Sequence, residues 1–123
     1  MCLADAALIK DNHVIAAGGV VPAYQAVRAA FPEIPVQVEV TTAEQARDVV
    51  AAGATEILLD NMDPAQMQAV VAELGGAAVA FEASGGLRLS DATLVAQTGV
   101  DYVAVGAITH SAQILDIALD LTT

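Results

Sequence analysis

Short apolar runs recur along the chain, separated by longer stretches of helical period. The runs are AALIK (6–10), PVQVEV (35–40), TEILLD (55–60), AVAFEAS (78–84) and DYVAVGA (101–107). Each is brief and rich in aliphatic or aromatic residues, as buried strands are. Between them, helix signals fall at regular offsets. Thr41 and Glu44 in TTAE predict a capping box, with Ala46, Val49 and Val50 on one face and Gly53 at the end. Asp63, Pro64 and Gln66 in DPAQ predict an N-cap, a first helical position and its reciprocal partner. Met67, Val70, Val71 and Leu74 then form an apolar stripe, stopped by Gly75 and Gly76. Ser90 is predicted to cap a fourth helix, which holds Leu94 and Val95 and ends at Gly99. Ser111 is predicted to cap the last, with Ile114, Leu115, Ala118 and Leu121 facing inward. A first helix over residues 21–30 carries Val27 and Ala30, and Pro32 closes it.

The pattern is strand then helix, repeated without a linker or an internal boundary. It predicts one α/β domain of parallel strands with right-handed crossovers. Two architectures compete, an open doubly wound sheet and a (β/α) barrel. Alternation within the strands separates them. Val36, Val38 and Val40 oppose Gln37 and Glu39, while Ile57 and Leu59 oppose Glu56, Leu58 and Asp60. Val79 and Phe81 oppose Ala80, Glu82 and Ser84, and Val103 and Val105 oppose Tyr102, Ala104 and Gly106. A sheet covered on both faces should be apolar on both. A barrel interior that grows polar toward its mouth gives this asymmetry. A complete barrel takes about 250 residues, so 123 residues predict part of one: about five strand-helix units of a TIM-like barrel.

Composition narrows the function. The chain is 56% hydrophobic, which excludes low-complexity disorder, and its formal net charge is −11. Such a surface repels nucleic-acid backbones and anionic membranes, so neither is an expected partner. Any anion must bind at a local site, which makes the few cationic groups informative. One cysteine, Cys2, allows no internal disulfide and suits the cytoplasm, the expected location. No apolar run reaches the roughly 18–20 residues that span a bilayer. The N-terminal stretch has no basic region ahead of its apolar part and does not read as a signal peptide.

Barrel chemistry sits at the C-terminal ends of the strands. The polar groups predicted there are Lys10 with Asp11, Asn12 and His13, then Glu39, Asp60 with Asn61, Glu82 and Ser84, and finally Gly106 and His110. Lys10, the only lysine, either snorkels off its strand end or binds an anion. His13 reads first as a satisfied loop histidine. Glu39 and Asp60 come from successive strands on one face. They could hold Mg²⁺ shared with substrate phosphates, or cap neighbouring helices. Glu82 sits deeper and predicts a structural hydrogen bond. Glycines in EASGG (82–86) and AVGAITH (104–110) could admit a phosphate to the backbone or form ordinary turns. No Walker loop, dinucleotide fingerprint or paired-cysteine zinc motif is present.

The segments DAALIKDNHV, VQVEV, EILLDN, FEASGGL, TGVDYVAVGAITHS and LDIALDL, in this order, resemble the C-terminal part of the quinolinate phosphoribosyltransferase family. The resemblance covers nearly the whole chain. It implies an enzyme that converts quinolinate and phosphoribosyl pyrophosphate to nicotinate mononucleotide, pyrophosphate and CO₂ in NAD biosynthesis. It implies that Lys10 helps to hold the dicarboxylate. Glu39 and Asp60 are implied to lie near the ribose and the Mg²⁺-pyrophosphate. Ser84, Gly85, Gly106 and His110 are implied to hold the sugar 5-phosphate. The family pattern also has upstream basic residues and an N-terminal domain that serves the partner's site in a homodimer. Neither is found in this sequence, nor are the first barrel strands. The polypeptide alone is therefore expected to be inactive. The alternatives are a non-catalytic or split piece that binds phosphate or a partner barrel piece, and a related phosphoribosyltransferase with another substrate.

Overall fold

The computed structural model describes residues 5–109, 112, 115 and 117–121. Strands β1 (Ala7–Ile9), β2 (Val36–Val40), β3 (Glu56–Asp60), β4 (Ala80–Ser84) and β5 (Tyr102–Val103) form one parallel sheet in the order β1-β2-β3-β4-β5. A doubly wound sheet reverses its strand order at a switch point. Here each strand lies beside the next in sequence, and among the described residues the sheet does not close. This is a partial barrel of the TIM type, as predicted. Helices α1 (Asp11–Ala17), α2 (Val20–Ala30), α3 (Ala43–Ala51), α4 (Pro64–Leu74) and α5 (Ala92–Ala96) connect the strands.

The aliphatic strand face carries the core. Val38, Ile57, Leu59 and Ala83 are fully inaccessible and Phe81 nearly so. They pack with Ala46 and Val49 of α3, Met67 and Val70 of α4, and Val95 of α5. Burying a side chain of this size contributes about 1.5–3 kcal/mol. The helices lie on this side because their apolar stripes have no other partner. Tyr24 of α2 donates its hydroxyl proton to the Gly53 carbonyl at 2.8 Å, joining α2 to the end of α3. Arg47 Nε donates to Glu73 Oε1 at 2.6 Å, joining α3 to α4 and holding the Glu73 carboxyl below its ordinary value of 4.5. Among the described residues no helix is long and apolar enough to cross a membrane.

The predicted strands stand within two residues at most ends, apart from β5, which pairs over Tyr102–Val103 alone. Of the caps, Asp63 behaves as predicted. It accepts from Gln66 N at 2.8 Å, and Gln66 Oε1 accepts from Asp63 N at 3.0 Å. Three details differ from expectation. The cap of α3 is Thr42, not Thr41: Thr42 Oγ1 accepts from Gln45 N, and Gln45 Oε1 accepts from Thr41 N. TTAEQ holds two overlapping pairs of the required spacing. The later one leaves Glu44 inside the first turn, where the helix dipole favours an acid. Ser90 does not cap α5. The Asp91 carboxylate takes both the Arg88 N–H and the Ser90 hydroxyl, and a 3-10 turn over Leu89–Asp91 precedes the helix. Ser90 lies inside that turn rather than in the extended conformation of an N-cap, so its hydroxyl does not face the first free N–H groups of α5.

The third difference concerns the last helix. Ser111 and Ile114 lie outside the described residues, but Leu115 and residues 117–121 are not helical. The Leu121 N–H donates to Asn12 Oδ1 at 2.8 Å, and Asn12 Nδ2 donates to the Leu119 carbonyl. In a helix the Leu121 N–H would instead go to Ile117. The chain also makes a helix that the periodicity did not announce: α1, ended by Gly18 at φ +79.

Candidate functional site

The C-terminal strand ends form a rim on the face opposite the helices. Lys10 follows β1 and is the N-cap of α1. Since Ile9 pairs with Val38, the next residue, Lys10, comes beside Glu39 on β2. Lys10 Nζ stands 3.3 Å from Glu39 Oε2, with the lysine side chain 54% exposed and the glutamate 8%. A buried carboxylate without a partner is costly. The ammonium supplies that partner and stays open to solvent. His13 Nδ1 accepts the Lys10 backbone N–H at 3.0 Å. That bond puts the neutral ring's proton on Nε2. Asp11 Oδ1 accepts from Asn12 N at 2.7 Å. The polar residues of KDNH therefore have separate tasks: charge, first-turn acid, strap for residues 119–121, and cap.

The second part of the rim joins β3 to β4. Asp60 pairs with Ser84 in the ladder. Asn61 N donates to the Ser84 carbonyl at 3.0 Å, and Asn61 Nδ2 donates to Asp60 Oδ2 at 2.6 Å. Gly85 (φ +96) lies against Asn61 so closely that a Cβ there would stand 2.7 Å from the Asn61 backbone nitrogen. Close approach to Asn61 thus accounts for Gly85, whatever ligand reaches this loop. Gly106 opens a 3-10 turn, Gly106–Ile108, whose first carbonyl accepts from Thr109 N. His110 lies outside the described residues.

Below the rim, Gln37 Nε2 donates to Glu82 Oε2 at 2.7 Å. These residues flank β3, so the bond crosses over it beside Leu58, which is buried. Gln37, Glu56, Ala80, Glu82 and Tyr102 line a recess of about 310 Å³. The structure therefore brings Lys10 to Glu39, Asp60 to Ser84, and Gly85 to Asn61. It separates the two carboxylates by a layer, because Glu39 pairs with Leu58 rather than with Asp60. The sequence places Asn12 and Asn61 at the strand ends and Gln37 on the polar strand face, but assigns none of them a role. For Asn61 a signal existed, since asparagine is, after glycine, among the residues that best tolerate a left-handed backbone, and it stands between a strand end and a helix cap.

Among the described residues no three metal-ligating side chains converge. Mg²⁺ commonly takes one or two carboxylates and completes its shell with water and phosphate oxygens. Asp60 fits that role, a hard oxygen donor at the rim with only Oδ2 engaged among the described residues. Glu39 fits less well, because a cation there would compete with Lys10.

The chain matches the family model "Quinolinate phosphoribosyl transferase, C-terminal domain" over residues 1–120. It is 54% identical over 121 residues to the nicotinate-nucleotide pyrophosphorylase [carboxylating] of Mycobacterium leprae, covering 97% of this chain and 43% of that protein. It is 38% identical over 117 residues to the human protein of that name, covering 93% of this chain and 39% of that one. The solved nicotinate-nucleotide pyrophosphorylase of Francisella tularensis superposes with a TM-score of 0.83 at 36% identity, over 91% of this chain and 40% of that chain. The chain thus spans roughly two fifths of the length of these relatives. Matched over nearly all its residues and superposing on a member's barrel, the chain belongs to the quinolinate phosphoribosyl transferase C-terminal domain family.

Proposed function

We propose that this chain carries part of the active site of an enzyme that converts quinolinate and phosphoribosyl pyrophosphate to nicotinate mononucleotide, pyrophosphate and CO₂. In this proposal further polypeptide completes the barrel, and the complete enzyme is a cytoplasmic homodimer. The observation that carries the reading is the clustering of Lys10, Glu39, Asp60 and Ser84 at the C-terminal ends of successive strands in a chain of this family. Catalytic groups of barrels come from several strand ends at that face.

The chemistry follows from charge. The quinolinate ring nitrogen forms a bond to ribose C1 as the C1–oxygen bond to pyrophosphate breaks, its electron pair leaving with the pyrophosphate. Positive charge grows on the ribose. The carboxylates of Glu39 and Asp60 stabilise it, acting where water is partly excluded. Mg²⁺, when bound, neutralises charge on the pyrophosphate, and Asp60 is its proposed protein ligand. Lys10 offers its exposed ammonium to a substrate carboxylate while Glu39 keeps it at the rim. After the bond to ribose forms, the carboxylate beside the ring nitrogen leaves as CO₂. The electron pair stays on the pyridinium ring carbon, which then takes a proton. Ser84, with Gly85, Gly106 and His110, is proposed to receive the sugar 5-phosphate.

The test is complementation. This chain is co-expressed with the part of the Mycobacterium leprae relative that precedes the matched region, and nicotinate mononucleotide is measured with both substrates and Mg²⁺. Turnover is expected from the combination and not from either piece. Lys10→Ala, Glu39→Gln and Asp60→Asn should each lower kcat/KM by about 10²-fold or more. A folded complex with no turnover would overturn the reading. Unchanged rates in both Glu39→Gln and Asp60→Asn would remove those carboxylates from the mechanism.

A further inference from the structure

We infer that Asn61 is a positioning residue that sets the orientation of the Asp60 carboxylate. The inference rests on the reading of Asp60 as a group that meets the phosphoribosyl substrate, and adds what aims it. Asn61 stands at φ +54, a conformation uncommon for any residue with a side chain. Glycine would occupy that position with less strain. What asparagine adds is its amide, and the partner of that amide is Asp60, with Nδ2 2.6 Å from Oδ2. Only the amine end of the amide suits this contact, because an amide oxygen facing a carboxylate would repel it.

The left-handed backbone is held from the neighbouring strand. The Asn61 N–H donates to the Ser84 carbonyl at 3.0 Å, extending the β3–β4 ladder one step beyond Asp60 and Ser84. Gly85 then lies over Asn61, where an added Cβ would fall 2.6 Å from Asn61 Cγ. Backbone, side chain and the adjacent loop are thus fixed together. A charge-assisted bond to Oδ2 leaves Oδ1 as the oxygen offered to a ribose hydroxyl or a cation. Ala78 shows the contrast: it is also left-handed, at φ +57, but has no polar group to aim.

Asn61→Gly separates the amide from the backbone, since glycine keeps the left-handed turn and removes only the side chain. In the complemented enzyme, kcat/KM for phosphoribosyl pyrophosphate should fall about tenfold, the scale of one hydrogen bond to a charged group. KM for quinolinate, which Lys10 serves, should hold, and the thermal midpoint should hold or rise. Unchanged kinetics would overturn the inference, as would a loss in both substrates' parameters matched by a drop in the midpoint. A second measurement does not depend on turnover. In the ¹⁵N-labelled chain the Asn61 side-chain amide should exchange its protons more slowly than those of exposed asparagines, and Asp60→Ala should abolish the difference. If the wild-type complex has no activity, the functional reading fails and this exchange measurement alone decides the positioning role. Free exchange in the wild type would overturn it.

Discussion

His13 shows how much one short contact decides at the scale of a residue. Its Nδ1 accepts the Lys10 N–H, the task that glutamate or glutamine performs at the third position of a capping box. His13→Leu keeps the bulk and removes the acceptor. It should destabilise the chain by about 0.5–1 kcal/mol in thermal unfolding, while His13→Gln should recover most of that loss. Equal midpoints for the wild type and His13→Leu would show that the contact adds nothing. From the sequence, His13 reads as a loop histidine, because α1 itself is not foreseen. Its seven residues hold no apolar stripe long enough to announce a helix, and none of them is buried. Glu82 is the opposite case. Its depth in the strand foretells a structural bond, and Gln37 provides it. The partner lies 45 residues away, beyond what spacing along the chain can reveal.

For the elements, local signals succeed where they have one solution. Asp63, Pro64 and Gln66 can be read in only one register, and α4 starts as that register requires. TTAEQ has two, and the structure takes the second. Ser90 is a good cap by type but falls inside the 3-10 turn before α5, where its hydroxyl donates to Asp91 instead of capping. A paired prediction follows from this difference. Asp63→Ala should cost about 1 kcal/mol, the loss of a true cap. Ser90→Ala should fall within about 0.5 kcal/mol of the wild type, as for an ordinary surface site. Urea unfolding of the two variants checks both, and a larger loss in Ser90→Ala would show that the hydroxyl supports α5 after all. The terminal helix marks the limit of reading periodicity. Leu115, Ala118 and Leu121 have helical spacing, yet Asn12 takes the backbone of residues 119–121 in a long-range contact.

Across the whole molecule, strand alternation made the partial barrel legible, since one aliphatic and one mixed face mean helices on one side only. The strand order confirms it. Among the described residues β1 is an edge strand, and beside it an apolar cavity of about 690 Å³ is bounded by β1, α1 and α2, with Ala7, Leu8, Val27 and Phe31 among its lining residues. Phe31 is 58% exposed and Leu8 43%. Exposed apolar surface beside an edge strand favours association. The −11 charge opposes it by mutual repulsion. These two forces should be separable in sedimentation velocity on the chain alone. At pH 7.5 and low salt, repulsion holds the molecules apart. In 1 M salt the screening length falls to about 3 Å, and the apolar edge should then drive association without any change of protonation. Lowering the pH toward the isoelectric point near 4.1 removes the repulsion by a second route. Phe31→Glu should weaken association under both conditions while leaving the far-ultraviolet circular dichroism unchanged, because the side chain lies outside the packed core. Association that is indifferent to both salt and Phe31→Glu would mean that the edge beside β1 is not the sticky surface, and that charge is not what restrains it.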